Sequence, residues 1–437
     1  MSFKEETEFN MLPASGQKRL KEHIYSAGGI DVLKMAAIYG ANGAGKSNLV
    51  KAVAAMKNII LNNNYSGISR FKLDKANISK PTSFEIEFTV NDTTYNYGLS
   101  VDTNSILEES LYQTGPHNQN LIFERKTQGG ITKIQMSDKY SDSPEDKMRI
   151  KLYETEFLKE NLSLLSVMAN AKELFPEIKS IFLFIHIRLI IWNSEEVAPY
   201  LNWIFVKTPK SMDFVNENLK TLNLGISNLE FDTTDIETYF GDNTRGIQEV
   251  MRMFSEGKEA VMLQPDYFYS PCAINENGKI KIKSAITFQK DIDGLDVKFD
   301  LEEQSDGTQK LIEILPGMAA IMNEQNTLII DEIESHIHVN LLKELISKFS
   351  KDNNTNGQLI FTTHESNLLD QDILRQDEIW FAEKSPAGET GFYPLSDYEI
   401  RSDLDIRKGY LNGRFGAVPF LANLHDLNWD KYAKDEA

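Results

Sequence analysis

The chain has 437 residues, 25% of them charged, and a formal net charge of −19. That length allows two or three ordinary domains or one large core with insertions, and the acidity excludes a global basic footprint for avid non-specific DNA binding, leaving only a local basic groove open. A single cysteine, Cys272, excludes an intrachain disulfide framework and a cysteine-rich zinc site.

Residues 1–6 lack the apolar core of a secretory signal, and no stretch of about eighteen apolar residues occurs. We therefore expect a cytoplasmic protein without membrane contact. The nearest approach to a span, residues 181–192, contains His186 and Arg188 and reads as a buried helix or strand.

In chain order, the apolar run from Val32 to Ile38 predicts a buried strand. It enters Gly40-Ala41-Asn42-Gly43-Ala44-Gly45-Lys46-Ser47, a complete G-x-x-x-x-G-K-[ST] loop. Such a loop wraps a polyphosphate with inward-pointing N–H groups, its lysine reaches the β and γ phosphates, and its serine hydroxyl holds Mg²⁺. ATP and Mg²⁺ are thus the expected ligands. Leu49, Val50, Val53, Met56, Ile59 and Ile60 then recur at helical spacing.

Further along, Phe84, Ile86, Phe88 and Val90 alternate with polar residues, and Asn91-Asp92 precedes a second alternating run through Tyr95, Tyr97, Leu99 and Val101. This is a hairpin pattern. With strand-like runs at 121–124 and 131–136 it predicts an antiparallel β patch over roughly residues 80–137 beside the nucleotide loop. Residues 146–171 turn helical, with an apolar face through Leu152, Phe157, Leu158, Leu162, Leu165 and Met168. Residues 172–285 mix helical patterns with turn signals and carry no recognisable chemistry, so we expect an inserted, mainly helical subdomain. Sustained heptads are missing from it, which argues against a long coiled-coil arm. From about residue 286 strands alternate with helices again, the mark of an α/β layer.

Thr327, Leu328, Ile329 and Ile330 form a short apolar strand ending in Asp331-Glu332. Apolar strands often end in acidic turns, but paired with the glycine loop this one reads as the second half of an ATPase site. Asp331 would hold the Mg²⁺ shell and Glu332 would polarise the attacking water. Ser47 and Asp331 lie 284 residues apart, farther than in Ras-like GTPases or most hexameric motors, and no Asn-Lys-x-Asp guanine-reading motif is present. A split site with a large insertion points to the ABC class.

That class calls for a Ser-x-Gly signature at a helix start upstream of the acidic strand. Ser305-Asp306-Gly307 lies there, leading into Leu311, Ile312, Ile314, Leu315 and Met318, where an anion is favoured at the helix N-terminus. Taken alone, it is also a good turn and cap. Next comes a switch histidine, His364, after the strand-like run 358–363. The expected catalytic set is Lys46, Glu332 and His364; the nucleotide set is Gly40, Asn42, Gly43, Ala44, Gly45, Lys46, Ser47, Ser305 and Gly307; the metal set is Ser47 and Asp331. For a Q-loop glutamine, Gln113 and Gln264 are both open. These elements predict an α/β fold, an ABC/SMC-like P-loop ATPase head made of lobe 1–171, insertion 172–285 and lobe 286–437.

With these residues in hand, the chain resembles the RloA-like ATPases, relatives of the OLD family within the ABC class that occur in bacterial anti-phage and abortive-infection loci. The resemblance runs from Ser2-Phe3-Lys4-Glu5-Glu6 through Glu303 to Thr308, Asp331-Glu332-Ile333-Glu334, His338 and Thr362-Thr363-His364. It continues into Tyr410-Leu411 and Gly413-Arg414-Phe415-Gly416-Ala417-Val418-Pro419. Two departures stand out. Relatives carry about one more strand before the Ser-Phe segment, and Ile337-His338-Val339 stands where Leu-His-Pro is usual.

The resemblance implies a head-to-tail homodimer or higher oligomer, each ATP closed by the other copy's Ser305 and Gly307. It also implies an effector gated in trans, often a nuclease, since the 73 residues after His364 are too few for the Toprim nuclease fused in OLD proteins. His338 carries over as a structural or dimer-contact residue, and with His336 it lacks a third metal ligand. Gly413 to Gly416 reads equally as a surface turn bearing an arginine or as a subunit or effector interface. Two alternatives stay open: a DNA-repair or chromosome-associated ATPase, and an ATP-sensing scaffold with slow turnover.

Overall fold

A computed structural model describes residues 2–115, 117–171, 175–193, 209–258, 260–263, 270–323, 325–401 and 404–418. A small hairpin of β1 (Ile24–Ala27) and β2 (Ile30–Leu33) leads into β3 (Met35–Tyr39), whose five residues are all buried. The glycine loop follows, then the helix Lys46–Asn62. Next come β4 (Thr82–Val90), β5 (Thr93–Val101), β6 (Ile106–Thr114), β7 (Gln119–Gln128) and β8 (Ile131–Met136), an antiparallel sheet in simple chain order. This matches the β patch expected from the alternating runs.

Helices Pro144–Leu152, Leu164–Ala169 and Pro176–Leu183 precede β9 (Leu189–Trp192). Beyond the helix Pro209–Thr221, β10 (Ile226–Asp235), β11 (Ala260–Met262), β12 (Cys272–Glu276), β13 (Lys279–Lys290) and β14 (Asp296–Asp300) form a second antiparallel sheet. The helix Asp306–Asn323 then leads to β15 (Thr327–Ile330), and the helix Val339–Lys351 to β16 (Gln358–Thr362), β17 (Ile379–Lys384) and β18 (Thr390–Pro394).

The central sheet has the order β18-β17-β3-β16-β15-β9, parallel throughout except for β18 at the edge. Parallel strands are stable only when both faces are covered, which is why β3, β15 and β16 read as unbroken apolar runs. One face packs Ala36, Ile38, Ile329, Ile360 and Trp380 against Ala44 and Val50 at the glycine loop and helix Lys46–Asn62. The opposite face packs Ala37, Tyr39, Leu328, Ile330 and Phe361 against Leu311, Leu315, Leu342 and Ile346 of the two later helices. Register does the rest. Ile38 pairs with Thr362 and Ile330 with Phe361, so the chain leaves β3, β15 and β16 at one edge of the sheet.

Helix Lys46–Asn62 is buried on two sides. Met56, Ile59 and Ile60 join Phe88, Tyr97, Leu99 and Phe123 in a separate core under the β4 to β8 sheet. That core is fastened by a fully buried ion pair, Arg125 with Glu109 at 3.5 Å. Glu109 accepts from Tyr97 Oη, Ser163 Oγ and the N–H groups of Leu164 and Leu165, while Arg125 donates to the carbonyls of Lys159, Glu160 and Leu162. Every charge in the pair is thus met, the condition under which burying it is tolerable.

Among its described residues the segment 172–285 holds strands as well as the expected helices. Strand β9 belongs to the central sheet, pairing with β15, and β13 runs straight through residue 285. Two causes hide the strands: β10 is bulged between Ile226 and Asn228, and Asp232, Thr233 and Thr234 place polar residues at three consecutive positions and so on both faces, which breaks the apolar alternation. Several residues of this segment, Gln264 among them, lie outside the described set. Among the described residues no helix is long and apolar enough to cross a membrane.

Because removing one partner strands the other charge in the interior, Glu109→Ala should destabilise the chain by about 3–5 kcal/mol. Urea unfolding followed by fluorescence checks this; a loss of about 0.5 kcal/mol or less, typical of a surface change, would contradict it.

Candidate functional site

The glycine loop spans the end of β3 and the start of helix Lys46–Asn62, with Gly43 at φ 76° and Gly45 at φ 107°. Side chains other than glycine rarely adopt such angles. Space is short as well: a Cβ on Gly45 would lie 2.8 Å from Ser2 Oγ and overlap Thr390. Thr390 Oγ1 donates to Ala44 O at 2.7 Å and lies 2.6 Å from Ser2 Oγ, which also accepts from Asn48 Nδ2 at 2.6 Å. The N-terminal Ser2 and the edge strand β18 therefore hold the loop from behind.

Four expected residues come together in front of it. Ser47 Oγ donates to Asp331 Oδ1 at 3.1 Å, joining the loop to the acidic turn after β15. Lys46 Nζ donates to Gly40 O at 2.9 Å and lies 3.0 Å from His364 Nε2. Since the ammonium has only donors, His364 accepts through Nε2 and carries its proton on Nδ1. Burial lowers the pKa of Lys46 from its usual value, opposed by the charges of Glu334, Asp331 and Glu332. His364 is also lowered, first by burial and then by the Lys46 charge, which keeps the imidazole neutral and able to accept.

Thr362, the last residue of β16, ties these parts together. Its hydroxyl donates to Asp331 Oδ1 at 2.5 Å and accepts the Glu332 N–H at 2.8 Å. Sequence reasoning read it as part of a strand and of the run Thr362-Thr363-His364 that carries the resemblance, with no role of its own. Its hydroxyl, on the last residue of a buried parallel strand two positions before the expected switch histidine His364, was the signal available. Glu332 itself is exposed and left-handed at φ 54°.

Ser47 and Asp331 supply a hydroxyl and a carboxylate within hydrogen-bond distance of each other. Hard oxygen donors of this kind suit Mg²⁺, which takes one or two protein ligands and keeps waters and phosphate oxygens for the rest. The residues present therefore fit the ion.

Ser305 and Gly307 are placed differently. Ser305 Oγ accepts from Thr308 N at 3.3 Å and lies 3.0 Å from Thr308 Oγ1, capping its own helix. Gly307 packs against the loop after β15, where a Cβ would come within 2.7 Å of His336 O. Among the described residues no hydrogen bond joins either of them to residues 40–47. His338 Nδ1 accepts from Asn340 N at 3.2 Å and caps the helix Val339–Lys351; His336 lies 3.6 Å from Asp306, and no metal-holding cluster occurs among the described residues. Gln113 sits within the β4 to β8 sheet, paired with Tyr95 and Asn120. In the distal segment Phe415 is buried against Phe381 and Tyr398 while Arg414 is exposed; Pro419 lies outside the described residues.

Residues 35–128 and 136–370 match the family described as "AAA domain, putative AbiEii toxin, Type IV TA system". The chain belongs to this AAA family. Both halves of the site, from the strand before the glycine loop to His364, fall inside the matched residues, so the chain is an ATPase-family P-loop protein. No curated protein matches it in sequence.

Among solved structures, the AAA chain is similar to an SMC head bound to the C-winged helix domain of ScpA, at 12% identity and TM-score 0.38, covering 83% of this chain and 92% of that one. It is also similar to the SMC head domain from Thermotoga maritima, at 12% identity and TM-score 0.26, covering 83% and 90%. A third is an SMC head with an extended coiled coil bound to the C-terminal domain of ScpA, derived from Pyrococcus furiosus, at 12% identity and TM-score 0.29, covering 83% and 91%.

Thr362→Val keeps the shape but leaves the Glu332 N–H without its acceptor. The change should cost about 1–3 kcal/mol of stability and, by freeing Asp331, weaken Mg²⁺-dependent ATP binding roughly tenfold, the factor that corresponds to 1.4 kcal/mol. Denaturant unfolding and calorimetric titration with ATP, with and without Mg²⁺, check both effects.

Proposed function

We propose that this protein hydrolyses ATP at a composite site completed by a second copy, and that the ATP-driven closing and reopening of the pair gates a separately encoded effector. One observation carries the reading. Lys46, Ser47, Asp331 and His364 converge within one chain, whereas among the described residues neither Ser305, which caps a separate helix, nor Gly307 in that helix's first turn hydrogen-bonds to that chain's own loop. A helix N-terminus favours an anion, and a head-to-tail partner would bring that end to the γ-phosphate.

In this reading the backbone of residues 40–46 cradles the phosphates, and Lys46 turns from His364 to the β and γ phosphates. Bound Mg²⁺, held by Ser47 and Asp331, would neutralise charge on those phosphates. Glu332, exposed at the strand end, orients and polarises the attacking water. His364, neutral and beside Lys46, then contacts the γ-phosphate or that water. The anti-phage role and the nuclease character of the effector rest on the resemblance to RloA-like and OLD proteins; the net charge of −19 argues for a protein rather than DNA as the partner.

Mixing two inactive variants tests the shared site. Lys46→Ala disables the loop and Ser305→Arg disables the capping end, so a heterodimer keeps one intact site. With random exchange of copies in a two-fold dimer, about a quarter of the wild-type turnover should return. No recovery in the mixture, with both variants folded and able to exchange, would contradict closure in trans.

A further inference from the structure

Glu334 stands two residues beyond Glu332, yet its carboxylate turns inward. Oε1 accepts the His364 N–H at 2.6 Å, and Oε2 is buried with no hydrogen-bond partner. The backbone shows why His364 needs this contact. Strand β16 ends at Thr362, and the last N–H beyond it to find a main-chain acceptor on β3 is that of Thr363, which donates to Ile38 O at 3.0 Å. At the next residue the ladder has run out.

The turn after β15 fills the gap. Glu332 N donates to Thr362 Oγ1, Ile333 N donates to Thr362 O at 3.1 Å, and the Glu334 side chain then receives the His364 N–H. Three successive residues of the acidic turn thus lie along the end of β16 like the teeth of a zip. Glu334 is also the carboxylate with the strongest influence on the Lys46 and His364 pair, ahead of Asp331 and Glu332.

We propose that Glu334 is a positioning residue: its carboxylate replaces the missing ladder partner of His364 and fixes the switch histidine opposite Lys46. Its kinetic consequence rests on the ATPase reading above; its structural consequence does not. Glutamine at this position keeps a carbonyl acceptor of the same reach, whereas alanine removes it. The outcome at Glu332 should be the reverse, because there the charge that polarises water is what matters.

Hydrogen exchange of the His364 amide in the full-length protein reads the structural role directly. Glu334→Ala should speed its exchange about tenfold or more, and Glu334→Gln should leave it within about threefold of wild type. In steady-state ATPase assays Glu334→Ala should lower kcat about tenfold with KM changed less than about threefold, Glu334→Gln should stay within about threefold of wild type, and Glu332→Gln should lose turnover. Unchanged exchange in Glu334→Ala, or a Glu334→Gln enzyme as inactive as Glu332→Gln, would overturn the proposal. A wild-type protein without ATPase activity would instead overturn the ATPase reading, and the exchange measurement would still decide the role of Glu334.

Discussion

The hydrogen bond from Ser47 to Asp331 joins residues 284 positions apart in the sequence. Closing a loop of that length costs on the order of 5 kcal/mol in chain entropy, and a single hydrogen bond returns about 1 kcal/mol. The contact therefore cannot assemble the site; it depends on the sheet beneath it. Burial of β3, β16 and β15 between helix Lys46–Asn62 on one face and the two later helices on the other is what holds the two ends together. Thr362, on the strand between them, completes the join by bonding Asp331 directly.

That scaffold positions the glycine loop and the residues in front of it. Behind the glycine loop, Ser2 and Thr390 close off space, and the two glycines take angles that no other residue would hold cheaply. In front, Lys46 rests against His364 and its own loop, with burial opposed by three carboxylates. A lysine so placed meets an incoming phosphate without first ordering a loose side chain, an economy of side-chain entropy. Ser305 and Gly307, by contrast, are fixed by their own helix and by the His336 carbonyl. Local contacts that hold both halves would suit the proposed site, which opens and closes by moving whole chains.

Much of this was legible from the residues. The glycine loop, the strand ending in Asp331-Glu332 and the strand ending before His364 are short, dense and in a fixed order, and the alternation in β4 and β5 survives because that sheet has one covered face. The rest was hidden for physical reasons. Strand β9 is four residues long and follows an α-helix that passes into the π-helix Phe184–Arg188, so the apolar run 181–192 has no single period. Bulged near its start and polar at consecutive positions near its end, β10 gave a weak signal. The roles of Thr362, Thr390 and Glu334 come from side chains that reach across the sheet, and periodicity along the chain carries no information about such contacts.

The central claim is that the nucleotide site is half a site until a second copy arrives. Sedimentation velocity of the Glu332→Gln variant tests it most directly, because that change should leave ATP bound and unhydrolysed. With ATP and Mg²⁺ the variant should sediment as a dimer, and with ADP or without nucleotide it should show the smaller species. A variant that binds ATP yet sediments identically in all three conditions would contradict the account.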